Sequence, residues 1–231
     1  MTVTVALAAW LGPARAAARR VPVWLAGTRS LASSAAKPAL ESSTPDLNAL
    51  WEQHIATEFT EKSAAAAVAT MVPSSTVNHV PVMTGGVGTQ ALEQFYAEHF
   101  IPKMPPDVKL TPIDRHIAPP ASLIDEFVFE FTHSQPMDWM LPGVASTGRR
   151  VKVPFVVVVK FEGDKLSAER IYWDQASVLV QLGLLDPAGL PVVGPEQADK
   201  VVAVAGGQAA SGPPSNGLVH AVAERADQPA V

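Results

Sequence analysis

Asp174 stands where a strand pattern gives way to a short apolar helix, within the stretch E-R-I-Y-W-D-Q-A-S-V-L-V-Q-L-G from Glu169 to Gly183. A carboxylate at such a junction has two uses. It can cap the helix by accepting the free N–H near Ser177, or it can trade a proton at the lip of an apolar layer. An extended chain puts Leu166, Ala168, Arg170, Tyr172 and Asp174 on one face, so Tyr172 would share the surroundings of Asp174. His133 ends a second strand pattern, in which Phe127, Phe129 and Phe131 share its parity, as does Asp125. An imidazole over such an aromatic face can serve as a general base, as a substrate hydrogen-bond donor, or as a hydrogen-bonded rim residue. His79 precedes Pro81 at a helix-to-loop junction, where fixing the loop through a backbone contact is its simplest use.

Other residues exclude chemistry. His54 and His99 lie on or beside apolar helix faces and read as packing residues, and nothing is drawn from His116. No two histidines stand at H-x-H or H-E-x-x-H spacing, and cysteine is absent, so no metal site, thiol nucleophile or disulfide is expected. Gly86-x-Gly88-x-x-Ala91 lacks the βαβ unit of a dinucleotide fingerprint, because the helix after it stops at Pro102; its glycines read as turn residues. No G-x-S-x-G elbow is present. The expectation is a protein without a cofactor.

The elements that would position these groups are α first and β afterwards. Thr44-Pro45-Asp46 predicts a helix start with Thr44 as N-cap, followed by a stripe of Leu47, Leu50, Trp51, Ile55 and Phe59. An alanine-rich helix is predicted over about Lys62–Met71, and a third from Thr89 with Leu92, Phe95, Tyr96 and His99 on its apolar face. Strand patterns then cover about 107–117, 123–133, 150–161 and 166–173, with Gly163-Asp164 as a tight turn. This is α+β: an antiparallel sheet with about three N-terminal helices on one side. The apolar loop from Ser134 to Thr147, carrying Trp139-Met140-Leu141-Pro142-Gly143, suits a lid or a dimer contact better than open solvent.

The segment closing on Gln181-Leu182-Gly183 resembles that of the SnoaL-like polyketide cyclases in the nuclear-transport-factor-2-like (NTF2-like) superfamily. Asn78-His79-Val80-Pro81 with Thr84-Gly85-Gly86, and Phe131-Thr132-His133 with the Met137–Gly143 segment and Thr147-Gly148, carry the same likeness. It runs from about Thr44 to Leu185. The resemblance implies a cone: a curved antiparallel sheet wrapped over the helices around an apolar pocket. It also implies that Asp174 is the acid–base residue, with His133 and His79 polarising a carbonyl. Tyr172, Trp139, Phe129, Phe131 and Tyr96 would then shape the pocket for a small apolar carbonyl compound. Cyclase, isomerase and hydrolase chemistry all occur on this fold, as do plain hydrophobic-ligand binding and dimerisation modules with a filled cone.

With 231 residues and 48% apolar content, the chain holds one domain plus extensions. Residues 1–40 carry Arg15, Arg19, Arg20, Arg29 and Lys37 and no acid. That composition reads as a mitochondrial transit leader, with a plastid leader or a cytoplasmic protein as alternatives. The domain is expected over residues 41–186, followed by an irregular extension, 187–231, that frays after His220. Outside the leader 12 basic residues face 22 acidic ones, which disfavours nucleic acid and anionic membrane surfaces as partners. A second copy of the chain is the expected protein partner.

Overall fold

The computed structural model describes residues 45–208 and residue 212. The leader, its cleavage site and the segment expected to fray lie outside the described residues. Asp46, not Thr44, caps the first helix, α1 (Leu47–Phe59): its carboxylate accepts the N–H groups of Asn48 and Ala49. The buried line of α1 runs through Leu47, Trp51, His54 and Glu58, while Leu50, Ile55 and Phe59 flank it half-buried. The face is therefore rotated from the purely apolar stripe, and two ionisable side chains lie on its centre. Ser63 caps the short α2 (Ala64–Ala69) through the N–H of Ala66. Met71 does not continue it but opens β1 (Met71–His79), which turns back as β2 (Thr84–Val87). Gly85 is required there, since a Cβ would fall 2.1 Å from the carbonyl oxygen of Val77.

Helix α3 (Thr89–Gln94) runs on as a π-helical turn, Phe95–Phe100. The wider turn brings Phe95, Tyr96 and Phe100 inward and carries His99 out to solvent, away from its expected apolar face. Four strands follow: β3 (Lys109–Ala118), β4 (Ser122–Thr132), β5 (Arg150–Glu162) and β6 (Lys165–Trp173). Then come α4 (Gln175–Gln181) and, inside the segment expected to be irregular, α5 (Glu196–Ala205). The sheet order is β2-β1-β6-β5-β4-β3. It is mixed rather than antiparallel, because β1 lies parallel to β6. The two strands missed at the start, β1 and β2, supply that departure.

One face of the sheet holds Leu123, Phe129, Phe131, Val153, Phe155 and Val157, which pack with residues of α1, α3 and the π turn in one continuous core. The 134–147 loop is folded into that core. Met137, Trp139, Met140 and Leu141 are all at most 2% exposed, so the loop is packed inside the domain and not left in solvent. Thr84 Oγ1 donates to the carbonyl of Trp139, and the Gln175 amide donates to that of Met140. Together these bonds tie the lid to β2 and α4.

Candidate active site

Asp174 does not enter the cone. Its side chain is exposed and one carboxylate oxygen accepts the N–H of Ser177 at 3.1 Å, so it is the N-cap of α4. Tyr172 is likewise on the outer face, 40% exposed. Both follow from a bulge. Phe161 pairs with Leu166 and Lys160 with Ala168, so Ser167 is an extra residue on β6. One inserted residue exchanges the two faces of a strand. Leu166 points inward, but beyond the bulge it is Glu169, Ile171 and Trp173 that are buried. The Q-L-G end of the same motif positions α4. The Gln181 amide donates to the Lys152 carbonyl and accepts the Lys152 N–H, and Gly183 ends the helix at φ +70°.

Asp174→Asn is therefore expected to leave ligand binding unchanged and to cost under about 1 kcal/mol, since Asn caps nearly as well. Calorimetric melting together with ligand titration checks this. A folded Asp174→Asn protein that no longer binds or turns over ligand would return the carboxylate to the site.

The inner face gathers two groups of polar atoms. The first lies beneath the lid. His79, 3% exposed, sits among Phe95, Phe100, Trp139 and Trp173, with ring centroids 5.1–5.8 Å away. Phe129, Phe155 and Trp173 continue the aromatic wall. Burial lowers the His79 pKa to about 3 against an upward pull from the Thr84 backbone, so its ring is neutral. Its Nδ1 and the indole Nε1 of Trp139 are buried with no hydrogen-bond partner among the described residues. His133 is fully buried on the same sheet face as Phe131; its Nδ1 accepts the N–H of Thr147, its Nε2 is unpartnered, and burial lowers its pKa. The Trp139 ring lies against those of both His79 and Phe129. Phe131 touches Phe129, and Tyr96 contacts this group through Phe95 and Phe100.

The second group was not foreseen. His54 lies fully buried, with its Nε2 3.2 Å from Glu58 Oε1 and 3.0 Å from Glu169 Oε1. The Tyr96 hydroxyl is 3.4 Å from the same nitrogen. Burial alone would lower the His54 pKa, but Glu169 and Glu58 overturn that and raise it to about 10. Burial pushes the Glu58 carboxyl up, and burial with the same two carboxylates pushes the Tyr96 hydroxyl well up. A signal existed in the sequence: His54 and Glu58 are four apart on one helix, and i, i+4 side chains meet. Glu169 was hidden by the bulge.

Beside this group, Arg115 anchors α1 to the sheet. Its guanidinium donates to both oxygens of Asp125, at 2.9 and 2.7 Å, to Asn48 at 2.7 Å, and to Glu52. The indole of Trp51 donates to Asp125 as well.

No family model matches the chain, and no curated protein sequence matches it. Solved structures do. A Catenulispora acidiphila protein with a ketosteroid isomerase-like fold, crystallised with trimethylamine, is 18% identical. The match covers 62% of this chain and 96% of that one, with a TM-score of 0.45. A putative SnoaL-like polyketide cyclase from Shewanella denitrificans is 15% identical over 60% of this chain and 97% of its own, with a TM-score of 0.47. Another from Jannaschia is 16% identical over 60% and 94%, with a TM-score of 0.46. The chain has the NTF2-like fold. Its own element order and six-stranded sheet, with helices packed on the inner face, carry that statement. Among the described residues no helix is long and apolar enough to cross a membrane.

Proposed function

We propose that the NTF2-like cone of this protein binds a small, mostly apolar compound bearing a carbonyl oxygen, held beneath the 134–147 lid. The observation that carries this reading is the pair of orphaned polar atoms in an aromatic chamber, His79 Nδ1 and Trp139 Nε1. A buried polar group without a partner costs about 1–3 kcal/mol, and native proteins retain few of them. An indole N–H is a donor only, so the atom that satisfies Trp139 is an acceptor such as a carbonyl oxygen. Aromatic walls supply the rest of the affinity through apolar contact. The side chains close on one another, so entry requires the lid to swing out. The bonds of Thr84 and Gln175 to the lid backbone, the ion pairs of Asp138 with His99 and Lys103, and the buried side chains of Met137, Trp139, Met140 and Leu141 oppose this motion.

A second reading, acid–base turnover of the bound carbonyl compound, is favoured by the inner carboxyls. Glu58 is held above the ordinary carboxylate range, and Glu169 keeps one oxygen free of hydrogen bonds on the interior side. On this reading these groups, rather than Asp174, would exchange the proton, with the ligand reaching from the His79–Trp139 pair towards them.

Titration with apolar ketones and quinones, followed by tryptophan fluorescence, tests the binding reading. Saturable binding is expected for the full chain, and His79→Phe should weaken it at least about tenfold while keeping or raising the melting temperature. An unchanged affinity in His79→Phe, or no saturation across the panel, would defeat it. Solvent-deuterium exchange into the bound ketone, lost in Glu58→Gln with binding kept, tests turnover.

A further inference from the structure

We propose that His54, Glu58 and Glu169 form a binding site for a first-row divalent metal ion at the helix–sheet interface of the cone. The three ligand atoms lie within 4.8 Å of one another, the one such group among the described residues. Two come from successive turns of α1 and the third from β6, which is why ligand spacing along the sequence does not reveal the set.

The tautomer of His54 is fixed by its outer partner. The Thr70 hydroxyl donates to the Ala67 carbonyl at 2.6 Å, so its oxygen is left to accept from His54 Nδ1, also at 2.6 Å. An imidazole whose Nδ1–H is committed in this way turns the lone pair of Nε2 inward. This is the outer-shell arrangement that orients metal-bound histidines. Here it aims Nε2 at two carboxylates and the Tyr96 hydroxyl.

The separations also suit a shared cation. Bonds of about 2.1 Å from one ion place neighbouring ligands at right angles about 3.0 Å apart. The Nε2–carboxylate distances are 3.0 and 3.2 Å. A proton on Nε2 is the competing occupant. Its N–H would point along the ring axis, yet Glu169 Oε1 accepts no hydrogen bond even at 3.0 Å. An oxygen this close that fails the directional requirement of a hydrogen bond is still within reach of an ion shared with Nε2. Glu169 is 4% exposed, so its free oxygen has no water to turn to at the surface.

One nitrogen and two carboxylate oxygens suit zinc, manganese or iron(II) better than a soft cation. The site is separate from the His79–Trp139 pair and does not depend on the ligand proposed for it. A bound ion would displace the proton chemistry of Glu58, so the two uses of this centre exclude each other.

The test uses the full chain freed of metal by a chelator, titrated calorimetrically with Zn²⁺ and separately with Mn²⁺. One site per chain is expected, together with a rise in melting temperature on loading. Glu169→Gln and Glu58→Gln should each weaken binding at least about 100-fold. Glu98→Gln, altering the exposed pair with His99, should leave it unchanged. Co²⁺ added to the unaltered chain should develop visible bands of a nitrogen–oxygen site, a readout independent of how the variants fold. The proposal is overturned by the absence of a saturable site, by affinity unchanged in both glutamine variants, or by Co²⁺ that stays as it is in water.

Discussion

Asp125→Ala is expected to lower the unfolding free energy by about 3–5 kcal/mol, a large part of what holds a domain of this size folded. Asp125 is 3% exposed and accepts from Arg115 through both oxygens and from the Trp51 indole through one of them. Removing it takes from the guanidinium, whose side chain is 4% exposed, a carboxylate bound through both oxygens. It also leaves a buried indole N–H without an acceptor. Weakening the compensation of a buried charge is the costly outcome, beyond the worth of the pair itself. Asp125→Asn should fall between, because an amide oxygen can still accept from Trp51. By contrast, Glu130→Ala, which breaks only the 3.4 Å pair with exposed Lys109, should cost no more than about 1 kcal/mol. Urea denaturation measures all three. An Asp125→Ala protein within about 1 kcal/mol of the parent would show that α1 is held to the sheet by packing alone.

Stability should also fall as pH drops from 6.5 towards about 3, with His79 as the cause. In the unfolded chain this imidazole takes up a proton near its ordinary pKa of 6.5; in the folded chain it resists protonation until about 3. The unfolded state therefore binds more protons across that window, and acid favours it. The contribution is complete above pH 6.5 and is lost progressively below it, amounting to about 3–5 kcal/mol once both limits are passed. His133, whose pKa is also lowered by burial, acts in the same direction. Comparing the parent with His79→Phe isolates the effect, because the carboxylates titrate alike in both. The variant should show a shallower acid limb. Equal slopes from pH 6.5 to 4 would mean that the aromatic chamber admits water and the ring is not buried in solution.

The helices and strands around these residues were largely legible in the chain. Alternation of Phe127, Phe129, Phe131 and His133 placed β4 and its inner face correctly, because β4 runs without a bulge beside β5 throughout that stretch. Gly183 marked the end of α4, since a positive-φ stop is a local device. The burial of the 134–147 loop was legible from its apolar residues, too many to be left in water. By contrast, β1 reads M-V-P-S-S-T-V-N-H, with little to distinguish it from a loop. Its parallel pairing with β6 depends on a partner about ninety residues away.

By itself, then, the sequence determined an α+β domain, its helix stops, an aromatic-lined sheet face with His133 on it, and the apolar loop that closes over it. These follow from periodicity, capping and turn chemistry, each decided within a few residues. The tertiary structure alone decided which side of β6 is the inside. Counting alternately from Leu166 leads to Tyr172 and Asp174, but the extra residue at Ser167 hands the inner face to Glu169, Ile171 and Trp173. A bulge forms where two neighbouring strands must satisfy one hydrogen-bond ladder while bending, and that condition belongs to the pair of strands. The same shift sets Asp174 on the rim as a cap and brings Glu169 up to His54 and Glu58, 115 and 111 residues before it in the chain.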